Sequence, residues 1–309
     1  MDIFAQQVLN GLVLGSVYAM VALGYTMVYG ILGLINFAHG EVVMIGAMIA
    51  LAVISTLMGV SPDMNPFTMI FIAGSTAILV CMLLAFFIER LAYRPLRKAP
   101  RLAPLITAIG VSILLQNLAM IIWGRRYKMV PQIFPTETHE LFGATITSVQ
   151  LFIIGISGIL MAGLLLVVHF TKLGRAMRAT SESQRVAGLM GINVNKIISV
   201  TFMMGAALGA VAGILVAGNY SVAHYSMGFM LGLKAFTAAV LGGIGNLGGA
   251  VLGGLLLGLI ESVGAGYIGD LTGGFLGSHY QDVFAFVVLI IVLVFRPTGL
   301  MGERVSERA

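Results

Sequence analysis

The sequence has the composition of a membrane protein with many spans. Of its 309 residues, 59% are hydrophobic and only 9% are charged, whereas a soluble domain carries roughly 25% charged residues. The net charge of +5 does not indicate nucleic-acid binding, because the basic residues lie in short segments between apolar runs. The single cysteine, Cys81, excludes a disulfide framework and a cysteine-based metal site. We therefore expect no metal and no cofactor.

The first half of the chain contains four apolar runs of the length that a bilayer requires. A helix needs about 20 apolar residues to cross the hydrocarbon core, and the runs cover about 6–29, 31–59, 67–89 and 102–123. The first run lacks a basic segment and a cleavage site, so we expect it to be retained as a span. The segment after the third run is predicted to be a cytoplasmic loop by the positive-inside rule. Its basic residues are Arg90, Arg94, Arg97, Lys98 and Arg101.

The second half adds five apolar runs and the longest polar interval. The interval, about 124–148, contains Pro131, Pro135, Glu137, His139 and Glu140, and we expect it outside by alternation. The runs cover about 149–170, 197–218, 233–245, 249–268 and 282–295. Arg304 and Arg308 predict a cytoplasmic carboxyl-terminal tail. We expect an all-α polytopic protein of about 8–10 transmembrane helices, nine by this count, forming a single transmembrane domain over 1–309 with an outside amino terminus.

Glycine interrupts two of these apolar regions, 24–46 and 233–261. Transporters often build a pathway from discontinuous segments in related halves, but glycine is also common in ordinary membrane helices. The sequence GIGNLG, 243–248, matches a dinucleotide fingerprint, with Glu261 near the position of its acid; the apolar flanks exclude the soluble strand–turn–helix that this motif needs. The glycines instead predict a tight turn or close helix packing, and they are Gly242, Gly243, Gly245, Gly248 and Gly249.

Polar residues inside the apolar run 31–46 are the first candidates for a functional site. Asn36, His39 and Glu41 lie there, and Gln116 and Asn117 lie in the fourth run. Polar groups at membrane depth usually face protein or a water-filled route, so they predict either a solute pathway or hydrogen-bonded helix packing. Packing is the preferred interpretation for His39 and Glu41.

Enzyme motifs are absent from the sequence. His39 and Glu41 resemble the HxE part of a deaminase, but no P-C-x-x-C follows. There is also no HExxH, no GxSxG and no phosphate-binding G-x-x-x-x-G-K-[ST]. We expect a protein without catalytic residues, whose nucleotide site, if transport consumes nucleotide, lies on another chain.

The basic loop 171–196 is the second candidate. Ser181 is predicted to cap a short helix that has Val186, Leu189 and Met190 on one side. Arg185 is expected to be exposed and Gly191 to end the helix. Such a helix can dock into a groove on a soluble partner, or the loop can simply lie at the lipid headgroups.

Six stretches of the sequence resemble the LivH-type permease of bacterial high-affinity branched-chain amino-acid importers. They are GYTMVYGILGLINFAHGEVVMIGA (24–47), ERLAYRPLR (89–97), LITAIGVSILLQN (105–117), the loop 174–193, KAFTAAVLGGIGNLGGAVLGG (234–254) and RPTGLMG (296–302). They follow one another along nearly the whole chain. The resemblance implies a permease subunit of the bacterial inner membrane that works with a second related permease, two ATPase subunits and a periplasmic amino-acid-binding protein.

The resemblance also implies that the loop docks on the ATPase. ABC permeases carry a Glu followed six residues later by Gly in such a loop, and Glu182 and Gly188 have this spacing. Ser183 and Gln184 replace the alanines that usually follow the Glu, and the later Ile-x-Leu-Pro is missing. A stand-alone secondary transporter, with His39 and Glu41 relaying protons, is the alternative function.

Overall fold

The computed structural model describes residues 2–97, 99–100, 102–131, 137–141, 143–271 and 280–302. The predictions made for Lys98, Arg101, Pro135, Arg304 and Arg308 concern residues outside these ranges.

Eleven α-helices form nearly all of the described part of the chain, as the apolar runs predict. They are α1 (Asp2–Leu32), α2 (His39–Val60), α3 (Pro66–Phe87), α4 (Leu102–Trp123), α5 (Ser148–Phe170), α6 (Lys172–Glu182), α7 (Gln184–Leu189), α8 (Val194–Tyr220), α9 (Met227–Gly242), α10 (Leu247–Leu271) and α11 (Gln281–Phe295). Within the described ranges, seven helices are long and apolar enough to cross a membrane, and α9 and the Ala285–Phe295 part of α11 are shorter apolar helices. The prediction of an all-α polytopic protein is confirmed.

The structure corrects the sequence prediction at the end of α3 and at the start of α2. The loop expected from residue 89 onward begins as helix, because α3 continues through a π-helical turn, Ile88–Tyr93, and a 3-10 turn, Arg94–Leu96. The second run was expected to be helical from about 31, but α2 begins at His39. Asn36 therefore lies in the connection between α1 and α2 and not in a span.

Four short strands complete the described secondary structure. β1 (Lys128–Met129) pairs antiparallel with β4 (Val222–Ala223), and β2 (Thr138–Leu141) pairs antiparallel with β3 (Ala144–Thr147). The polar interval 124–148 thus contains strand pairing that the sequence did not predict.

The chain divides into two compact units. Unit 1 consists of Met1–Thr26, Thr136–Met161 and Lys234–Ala309. Its helices α1 and α10 pack through glycine: a Cβ atom added at Gly15 would lie 2.8 Å from Leu255 Cα. In a membrane the hydrophobic effect contributes little to helix association, because the lipid is itself apolar. Helices therefore associate through close packing, which small residues permit.

Unit 2 consists of Met27–Pro135 and Ala162–Leu233. Helices α2, α3 and α8 form its core, and Gly46 packs so closely on α8 that an added Cβ would lie 2.6 Å from Ala210 Cα. Buried side chains join α2 to α3, and they are Ala50, Ile54, Met69, Ala73 and Ala77. The expectation of a single permease domain stays a prediction.

Candidate functional site

The break between α1 and α2 in unit 2 is built around Asn36. Gly33 has a φ of +65° just after α1 ends, a conformation that costs glycine little. The Asn36 side-chain oxygen accepts hydrogen bonds from the Ala38 amide at 3.2 Å and from the Tyr93 hydroxyl at 2.8 Å, and Asn36 is buried. Asn36 therefore holds the connection and the start of α2 against the π-helical turn.

His39 and Glu41 lie in the first turn of α2 and are both buried. The His39 ring packs beside α8, where a Cβ added at Gly209 would lie 3.4 Å from Cε1. Glu41 Oε1 accepts a hydrogen bond from Ser112 Oγ at 3.2 Å, whereas Oε2 accepts none from the described residues. A Cβ added at Gly228 would lie 2.9 Å from that oxygen, so Glu41 occupies a tightly packed helix crossing.

Gln116 and Asn117 are not gathered with the residues of α2. Asn117 is exposed and donates to the Ile113 carbonyl of its own helix at 2.8 Å, while Gln116 is half-buried. Ser112, one turn before Gln116, is the residue of α4 that reaches Glu41. Ser112 was not among the residues predicted from the sequence, and its position four residues before Gln116 on a helix was the available signal.

Glu89 forms a buried charged network that was not predicted from the sequence. Its carboxylate pairs with Arg94 at 2.9 Å and with Arg97, and it accepts a hydrogen bond from Ser199 Oγ at 2.7 Å. Arg97 also donates to Asn195 Oδ1 at 2.7 Å. Burial lowers the pKa of the Arg97 guanidinium, and the negative charge of Glu89 opposes that effect. The network ties the π-helical turn to the first turns of α8.

The network explains why the basic segment is helical. Charge-assisted hydrogen bonds of arginine to a carboxylate are among the strongest in proteins, and here they satisfy a carboxylate that has no exposed surface. The signal in the sequence was an acid followed by arginines at five and eight residues, Glu89, Arg94 and Arg97. Taken only as the charges of a loop, these residues predicted the cytoplasmic side of the membrane but not the helical structure of the segment.

The segment 171–196 contains two helices. Ser183, and not Ser181 as predicted, caps α7 by accepting a hydrogen bond from the Val186 amide at 3.3 Å; Ser181 lies inside α6 and donates to the Arg178 carbonyl. The two serines are equivalent by residue type, and the end of α6 at Glu182 decides between them.

The end of α7 matches the prediction that Gly191 stops the helix. Gly191 has a φ of +83°, its amide bonds to the Gly188 carbonyl at 3.1 Å, and the Ile192 amide bonds to the Ala187 carbonyl at 3.0 Å. This pattern is a Schellman motif. The start of α7 is fixed as well, since Gln184 Nε2 donates to the Ile31 carbonyl in the last turn of α1 at 3.1 Å.

Three large apolar side chains are exposed on α7 and at the residue that follows it. Val186 is 55% exposed, Leu189 80% and Met190 78%, and we call these three apolar residues the α7 patch. Glu182, Arg185 and Gly188 are exposed too. A well-anchored short helix that presents three large apolar side chains is suited to contact with another protein or with lipid.

The glycine-rich segment forms a tight turn between α9 and α10 in unit 1. Gly243 and Gly245 have φ values of +107° and +99°. The amides of Leu300 and Met301 bond to the carbonyls of Leu241 and Gly242, both at 2.9 Å. A Cβ added at Gly249 would lie 2.5 Å from the Gly242 carbonyl oxygen, and Gly248 follows the turn at the start of α10. These glycines therefore serve turn geometry and close packing.

Comparison with known proteins points to one family. The family model described as "Branched-chain amino acid transport system / permease component" matches residues 7–293. The chain is 47% identical to the "High-affinity branched-chain amino acid transport system permease protein BraD" of Pseudomonas aeruginosa, over 99% of this chain and 98% of that one. It is 44% identical to the corresponding protein LivH of Escherichia coli, over 99% and 97%. Among solved structures, PsaBC from Streptococcus pneumoniae in complex with Fab covers 95% of this chain and 91% of its own, with a TM-score of 0.48 and 15% identity.

Proposed function

We propose that this chain forms part of the route by which leucine, isoleucine and valine enter the cell. The chain belongs to the family of permease components of branched-chain amino acid transport systems. The observation that carries the proposal is the identity of 44–47% with permeases named for this transport, over nearly their full length. Seven apolar helices of spanning length in the described part of the chain are consistent with such a route.

The protein has the role of a subunit without catalytic residues. Two ATPase subunits supply the energy, a second related permease completes the route, and a periplasmic binding protein delivers the amino acid. The family match supports partners of this general kind. The chain lies in the bacterial inner membrane, with the basic segments 89–101 and 171–196 and the carboxyl-terminal tail in the cytoplasm by the positive-inside rule.

The α7 patch is the contact for an ATPase subunit in this proposal. Exposure of its apolar side chains to water is unfavourable, so a protein contact that covers them is favoured. The caps at Ser183 and Gly191 keep the short helix formed. The hydrogen bond from Gln184 to Ile31 joins the same helix to the last turn of α1. Movement of the ATPase can thereby reach the break that Asn36 holds.

A matched pair of methionine variants tests the docking surface. Met190 is 78% exposed in the α7 patch, and Met129 is 74% exposed in β1, which we expect on the outer side of the membrane. We expect Met190→Glu to lower the amount of ATPase that copurifies at least tenfold, because a desolvated carboxylate in the contact is unpaired. Met129→Glu should leave copurification unchanged. Equal copurification of both variants would count against docking at α7.

His39, Glu41 and Asn36 serve the packing of the route in this proposal. Their side chains are buried at helix crossings and at the break before α2. Gln116 and Asn117 lie on α4, where the exposed amide of Asn117 is available to a second permease. Deleting the gene while keeping the other components tests the function as a whole: binding-protein-dependent leucine uptake should be abolished, and normal uptake would refute the assignment.

A further inference from the structure

Unit 1 contains a cluster of three charged side chains from three apolar helices. Lys234 of α9 lies 2.6 Å from Glu261 Oε1 of α10 and 2.7 Å from Asp282 Oδ1 of α11. The Lys234 ammonium also lies 5.8 Å from the centre of the Tyr18 ring. The transport assignment does not use these three residues.

Lys234 and Glu261 lie within apolar helices, and Asp282 lies just before the apolar part of α11, Ala285–Phe295. Glu261 is fourteen residues from the start of α10 at Leu247, which is about 21 Å along the helix, and the apolar part of α10 extends to Tyr267. Glu261 is 2% exposed, and the side chains of Lys234 and Asp282 are 15% and 30% exposed. Charged groups at such depth are rare and face other protein or a water-filled cavity.

Helix packing alone does not account for three charges. One lysine and one carboxylate would neutralise each other, so the second carboxylate leaves the cluster with an excess negative charge. Glu261 Oε2 accepts no hydrogen bond from the described residues, although an ionised carboxylate has several acceptor positions. The partly exposed side chain of Asp282 opens the cluster to one side. The cluster therefore has an unused acceptor position, which suits a ligand that carries positive charge.

We propose that Lys234, Glu261 and Asp282 bind the charged ends of a free amino acid during transport. Glu261 and Asp282 accept hydrogen bonds from the α-ammonium group, and Lys234 donates to the α-carboxylate. A zwitterion brings one charge of each sign, so it exchanges with the existing ion pairs without adding net charge. The proposal rests on the proposed function and assigns the site at which the charged ends are held.

The first test removes all three charges at once. A purely structural buried ion cluster can be replaced by neutral side chains of similar volume with little loss of stability. We expect the complex that contains Lys234→Met, Glu261→Gln and Asp282→Asn to assemble, and its ATPase to respond to the leucine-loaded binding protein. Leucine uptake into proteoliposomes should fall at least tenfold. Uptake within twofold of the wild-type value would overturn the proposal.

A single variant keeps the test decisive when the triple variant does not assemble. Asp282→Asn leaves the pair of Lys234 and Glu261 in place, so assembly should persist, and we expect uptake to fall at least fivefold. Glu140→Gln, an exposed acid of the β2 strand in the same unit, is the control and should leave uptake unchanged. Normal uptake by the Asp282→Asn complex would overturn the proposal.

Ion replacement tests whether the cluster binds the ammonium group of the amino acid or an inorganic cation. Exchanging sodium for potassium on both sides of the membrane should leave wild-type uptake unchanged, and strict sodium dependence would overturn the assignment to the amino acid. Failure of the wild-type complex to import leucine would instead contradict the proposed function itself.

Discussion

Two glycines of α8 provide a matched test of how unit 2 is packed. At Gly213 an added Cβ would collide with the Val43 carbonyl oxygen and lie 3.2 Å from the Ala47 amide nitrogen, both backbone atoms of α2. At Gly218, five residues later on the same helix, no atom lies within 4 Å of an added Cβ. An alanine side chain would thus clash with α2 at position 213, whereas position 218 has room for it.

The two substitutions are expected to change the free energy of unfolding in opposite directions. Overpacking against backbone that cannot move aside costs about 1–3 kcal/mol, so Gly213→Ala should destabilise the protein. Gly218→Ala should stabilise it by about 0.5–1 kcal/mol, because alanine loses less backbone entropy in a helix than glycine does. The two variants should therefore differ by roughly 1.5–4 kcal/mol.

Thermal unfolding of the detergent-solubilised protein, followed by fluorescence-detected size exclusion, measures this difference. At roughly 2–4 °C per kcal/mol, we expect the Tm of Gly213→Ala to lie at least about 3 °C below that of Gly218→Ala. Equal Tm values, or a more stable Gly213→Ala variant, would refute the close contact of α2 with α8.

Two further predictions concern Glu89 and the α7 cap. Glu89→Gln should cost about 3 kcal/mol, at the lower end of the range for a broken buried ion pair because Arg94 reaches solvent in part; an unchanged Tm would contradict the network. Ser183→Ala should remove about 1 kcal/mol from α7 and speed proteolytic cleavage there in inverted vesicles, whereas Ser181→Ala should not. Equal cleavage of the two serine variants would argue against the cap.

The sequence predicted the helices well because apolar length is a direct requirement of the bilayer. The runs at 102–123 and 149–170 agree with α4 and α5 to within one residue at each end. The interruption between α9 and α10 was also predicted, because a Gly-Asn pair among glycines marks a turn in any setting, and Gly243 and Gly245 indeed have positive φ values.

Partnerships between distant residues were the part that the sequence did not predict. Glu89 and Ser199 are 110 positions apart, and only the packing of the π-helical turn on α8 brings them together. Lys234 and Asp282 likewise meet through the fold. From sequence, a charged residue indicates whether its segment is a loop or a span. The residue with which it pairs depends on tertiary contacts that no spacing rule supplies.

The candidate site shows the same limit at smaller scale. The polar residues at the start of α2 were singled out as a candidate site, which stays a prediction, and hydrogen bonding of Glu41 to a neighbouring helix was the preferred interpretation. Its partner, Ser112, lies on another helix, and the fold shows that the two residues meet.

Reconstitution tests the central assignment most directly. Proteoliposomes that contain this chain with its second permease and ATPase subunits should take up labelled leucine only when ATP and the binding protein are both supplied, and uptake should vanish when this chain is omitted. Uptake by this chain alone that ignores ATP and collapses with an uncoupler would contradict the assignment and indicate a proton-coupled transporter.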